Sequence, residues 1–176
     1  MSWLGEFRRL PVVLLEEIRA APQEAYDRVA VLDDMLDLDR AWQRLAALMD
    51  RAEFPLNPIS AGALFPDERH AFGRDGDSRA LTSEQVTMAA AHLSRTPFDV
   101  LAGHLRPLLD SEQWVPIPDP SAPLLAPPAP AEVGTYRVDD ETERAIRRTL
   151  AASYRELVAF FAAAAKHRQC TVFWAG

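Results

Sequence analysis

The densest set of side chains able to do chemistry is acidic: Asp33, Asp34, Asp37 and Asp39 lie close together in the first quarter of the chain. Carboxylates are the ligands that Ca²⁺ and Mg²⁺ prefer, so a metal loop is the first chemistry to test. A calcium loop needs a glycine at its sharp turn and a glutamate at its last ligand position, where this chain has Leu38 and Arg44. No metal is therefore expected. The preferred reading is structural: Asp37 or Asp39 caps the following helix and favours its positive end.

Asp39 and Trp42 are three residues apart, on one helical face. A carboxylate and an indole so placed could line a pocket for a small polar or cationic ligand. The ordinary role of a tryptophan, filling a core, stands against this. His70 lies near Asp67 and Glu68 in a loop-rich stretch, where a general acid or base could meet a substrate, although a plain surface histidine is the simpler reading. His92 and His104 are twelve apart on separate predicted helices, which is no zinc spacing, and His167 falls at a helix end where a cation is favoured. Cys170 would be a nucleophile only with a base and an orienting partner beside it; a small apolar core residue is its default role. The spacing of Gly62, Gly73 and Gly76 fits neither a dinucleotide fingerprint nor a Walker loop, and no G-x-S-x-G elbow occurs. No cofactor is expected, and no catalytic set can be named.

The elements that must position these residues are legible as patterns. Glu6–Leu10 reads as a short strand leading through Pro11 into a helix with Leu14, Leu15 and Ile18 at helical spacing, and Pro22 marks a stop or a new start. Leu38, Ala41, Trp42, Leu45, Leu48 and Met49 form one stripe of a second helix. From Phe54 to Gly76 prolines and glycines break the pattern, and only Ile59–Phe65 could support a strand. Arg79–Leu81 extends as another. Thr82 with Gln85 then makes a capping box, with Leu81 and Val86 as a hydrophobic staple, for a helix from Ser83 to about Ser94. Pro97 opens a further helix carrying Phe98, Leu101 and Leu105.

Seven of the 14 prolines lie between Val115 and Ala131, which removes backbone donors and predicts an extended surface segment. Asp139 or Asp140 caps the longest helix, whose buried stripe runs through Ala145, Ile146, Leu150, Tyr154, Leu157, Val158 and Phe161 to an end near His167. Thr171–Trp174 is β-branched, aromatic and wholly apolar in its second half, as in a strand covered on both faces.

Composition bounds the function. A chain of 176 residues with 48% hydrophobic and 26% charged residues suits one folded domain, 1–176. A formal charge of -7 gives no general attraction to phosphate backbones or anionic lipid, so neither nucleic acid nor membrane is an expected partner. The arginines at 144, 147 and 148, and the basic group from Lys166 to Arg168, read as solvated helix faces. A single cysteine excludes an internal disulfide, Pro11–Leu15 is too short for a secretory signal, and Leu157–Ala165 is too short to span a bilayer. A cytoplasmic location is expected.

Four pieces in order carry a resemblance: Phe7-Arg8-Arg9-Leu10 running into an acidic helix, Leu36 to Trp42 opening a second, Ala80 to Val86 opening a third, and Tyr154 to Leu157 followed by Phe160-Phe161 and Val172-Phe173-Trp174. Together they resemble the YfbM-like family of uncharacterised bacterial proteins, a domain of unknown function. The resemblance implies a fold and no reaction. Histidines that often follow the tryptophan in that family are replaced here by Gln43 and Ala46, so a site built on them is absent. The Phe72–Ser78 stretch also departs from the family pattern, and the proline-rich segment is longer.

The expected fold is α+β: a small mixed sheet with strands near 6–10, 59–65, 79–82 and 170–175, packed with several helices. The leading functional expectation is a non-enzymatic module binding a small polar ligand or a protein partner, its site beside Asp39 and Trp42. Two alternatives stand beside it. One is a small hydrolase using Asp39 with His70 as base. The other is an acidic partner that neutralises a toxin through charge-steered association.

Overall fold

The computed structural model describes residues 4–111 and 138–176. The proline-rich stretch Val115–Ala131 lies outside the described residues.

β1 (Gly5–Leu10) leads through Pro11 into α1 (Val12–Ala20), which buries Leu15 and Ile18. A 3₁₀ turn at Pro22–Glu24 and a short α2 (Ala25–Ala30) bring the chain back to β2 (Met35–Asp37). α3 (Ala41–Arg51) follows. β3 (Ala63–Leu64) and β4 (Arg79–Leu81) flank a long connection. Then come α4 (Ser83–Arg95), α5 (Phe98–Ala102), α6 (Leu105–Ser111), α7 (Asp140–Lys166) and β5 (Cys170–Ala175). Pro97 caps α5, and the expected Leu105 belongs instead to a separate helix beyond Gly103 and His104.

Among the described residues five strands form one sheet in the order β2-β1-β5-β4-β3. The fold is α+β, as expected. The pairing is a correction, because every neighbour pair is antiparallel and the sheet is not mixed. Parallel neighbours need a crossover that carries the chain back to the starting end of the sheet. Here α1 and α2 deliver it to the end where β1 finished: the Arg9 N–H donates to Asp34 O at 3.1 Å, and Arg8 pairs with Met35.

β2 is a strand that periodicity did not reveal, since its Met35 and Asp37 are exposed and its position lies inside the acidic cluster. The expected strand at 59–65 shrinks to two residues for a physical reason. Asn57 Oδ1 accepts from Ile59 N–H and Asn57 O accepts from Ala61 N–H, so the chain turns there. Gly62 then needs a left-handed φ of +100°, with Ala80 O only 2.5 Å from where a Cβ would stand.

β5 pairs with β1 on one side and β4 on the other, and all six of its residues are buried. Its alternate side chains feed two cores, one on each face of the sheet. Phe173, with Phe7 from β1 and Leu81 from β4, joins Leu45, Val86, Leu157 and Phe161 from α3, α4 and α7. Cys170, Val172 and Trp174 join Leu10, Leu15, Ile18, Val29 and Phe65 on the α1–α2 face. Phe7 is the hinge of the first core, its ring 4.8 Å from that of Phe173 and 5.5 Å from that of Phe161.

The starts of α4 and α7 follow their sequence signals. Thr82 and Gln85 form the full reciprocal capping box on α4. Asp139 caps α7, accepting from Glu141 N–H at 3.0 Å and Thr142 N–H at 2.7 Å; the Thr142 bond foremost holds its carboxyl below the usual range. α7 is tied to α4 by Tyr154, whose hydroxyl donates toward Thr96 O at 2.8 Å and Leu93 O at 3.3 Å. Burial pushes that phenol up to about 12.

Candidate functional site

The acidic cluster divides its work. Asp34 accepts from Arg9 at 2.7 Å and ties the end of the α2–β2 connection to β1. Asp37, the last residue of β2, accepts from the backbone N–H of Asp39 at 2.7 Å. The turn so formed is strapped to β1, because Leu38 N–H donates to Gly5 O at 2.8 Å and Gly5 N–H donates to Asp39 O at 3.1 Å. Among the described residues no group of three or more His, Cys, Asp or Glu side chains is placed to hold a metal ion.

Asp39 itself has φ +47°, in the left-handed region. Aspartate tolerates that region better than most side chains, at a cost that glycine would not incur. The other non-glycine residues there, among those described, are Glu53 and Arg168, which directly follow the C-caps of α3 and α7. That is a habitual place for a left-handed residue. Asp39 precedes a helix instead. The expected cap is thereby corrected: a capping side chain comes from an extended residue, whereas the N-cap of α3 is Arg40, already helical at φ -83° and ψ -7° and making no capping bond.

Trp42 does not line the groove that borders Asp39 between the β2–α3 turn and α7. It is half-buried against the sheet, its ring 5.5 Å from that of Phe173. A Cβ on Gly5 would stand 2.5 Å from its Cγ and Cδ1. Glycine at the start of β1 is what lets the indole lie on the backbone.

Beside Asp39 runs a groove of about 560 Å³ between the Asp37–Arg44 stretch and α7. Asp37, Asp39, Arg40 and Arg44 stand on one side; Thr149, Ser153 and Glu156 stand on the other. Leu38, Ala41 and Leu150, all buried, give it an apolar base, and half-buried Ile146 extends it. The α7 side was missed in the sequence. Its signal was present: Thr149, Ser153 and Glu156 make a polar stripe at helical spacing beside the apolar one.

His70 belongs to another neighbourhood. Its Nδ1 lies 2.9 and 3.0 Å from the two oxygens of Asp67, and Asp67 Oδ1 also accepts from the backbone N–H groups of Arg69 and His70. The His70 bond foremost holds the Asp67 carboxyl below its usual range. The loop's aromatic residues, Phe65 and Phe72, pack in the α1–α2 core, whereas Leu38 and Ala41 beside Asp39 pack in the other. The strands leading into the two turns, β2 and β3, are the opposite edges of the sheet.

The remaining candidates have structural surroundings. His92 sits edge-on to Phe54 with ring centroids 4.4 Å apart. His167 is the C-cap of α7. Cys170 is buried, and burial pushes its thiol up, away from the reactive thiolate. No described helix is long and apolar enough to cross a membrane.

Comparison with known proteins finds no matching curated protein and no matching solved structure. Residues 1–112 do match one family, described as a domain of unknown function (DUF1877). The match takes in the Asp37–Arg44 side of the groove and stops short of α7. Because it spans more than half of the sequence, the chain belongs to the DUF1877 family, with which the YfbM-like resemblance is consistent.

Proposed function

We propose that this protein is a binding module that holds a small polar ligand in the groove between the β2–α3 turn and α7. The observation that carries the reading is Asp39: an exposed, non-glycine residue kept left-handed at the groove's edge, where no helix is ending. Backbone strain of this kind persists where the surroundings impose it, and it gathers at binding sites. The groove's volume falls within the range of small-molecule sites, and its apolar base with polar rims suits a ligand that has both characters. A protein partner, a neutralised toxin among them, would use the same chemistry by inserting one side chain.

Binding is preferred to hydrolysis because Asp39 and His70 serve turns beside different cores, and His70 is already bonded to Asp67. A carboxylate and a base must reach one substrate to act together.

The test is a thermal-shift panel of amino acids, polyamines and small dicarboxylates on the wild type, Asp39→Asn and Ile146→Trp. The indole of Ile146→Trp would fill the groove. A ligand at about 100 times its Kd stabilises by about 2.7 kcal/mol, a readable rise in Tm. The expected result is a rise in the wild type, weakened in Asp39→Asn and absent in Ile146→Trp. An equal rise in Ile146→Trp would place binding elsewhere, and no rise with any panel member would count against a small polar ligand.

A further inference from the structure

We draw no further inference here: the strongest candidate, the carboxylates of Asp37, Asp39 and Glu156 along the groove between the β2–α3 turn and α7, belongs to the site already described, and nothing else in the structure shows what chemistry would cover them.

Discussion

Two turns in this molecule are built with the same device and end differently. At Asp37 and at Asp67 a side-chain carboxylate folds back on the N–H of the residue two places on, at 2.7 and 2.8 Å. The Asp67 carboxylate is then consumed locally, since it also takes the His70 backbone and ring. The Asp37 turn instead presents Asp39 to a second element, α7, across a groove. An aspartate turn is a common local economy of backbone donors. What separates a structural turn from a candidate site is the surface it faces, and that is decided by the sheet and its helices.

Phe173 touches both Phe7 and Trp42, so Phe173→Ala should cost about 3–5 kcal/mol by urea denaturation, within the usual range for a buried phenylalanine. A loss below about 1 kcal/mol would mean that α3 is not held by this contact. Phe72→Ala, at the other turn, removes a half-buried ring and should cost less.

Gly5→Ala sharpens the same point. The added methyl meets the indole of Trp42, so a loss toward the upper end of overpacking, about 3 kcal/mol, is expected. Gly76→Ala in the Asp67 loop has φ +62° but no clash, its added methyl meeting Ala71 O at an ordinary contact distance of 3.5 Å. It should cost only the left-handed penalty, about 1–2 kcal/mol. Equal losses would show that Trp42 gives way freely.

Asp39→Gly should leave stability unchanged or raise it by up to about 1 kcal/mol, because glycine adopts this backbone without strain. Ligand affinity should fall in the same variant. A clear loss of stability would make Asp39 a structural residue and remove the argument for function.

The smallest effect is expected at the other turn. The folded protein holds the Asp67 carboxyl below its usual value, so its contribution is present at neutral pH. That contribution is lost as pH falls through the lowered value. The small stability gap between wild type and Asp67→Asn should therefore close in acid. A gap that widens in acid would reverse the assigned direction.

Much of the fold was legible because the signals were local. The Thr82–Gln85 box, the Asp139 cap and the apolar run of β5 each specify their element within a few residues. β2 was not legible, since a three-residue edge strand with two exposed positions has no period to read. The strand expected at 59–65 failed because Asn57 turns the chain with its own side chain, which hydropathy does not register. Asp39 and Trp42 were singled out together by helical spacing, whereas Asp39 lies before the helix and the indole lies against Gly5. The polar stripe of Thr149, Ser153 and Glu156 was legible on α7, but not what it faces, because α7 meets the β2–α3 turn only through tertiary packing.

The most direct test is to map backbone amide shifts by NMR while titrating the best panel ligand into the wild-type protein. The perturbed amides should gather at residues 37–44 and 145–156, leaving those around Asp67 and His70 unmoved. Shifts centred on residues 65–78 instead would contradict binding in the groove.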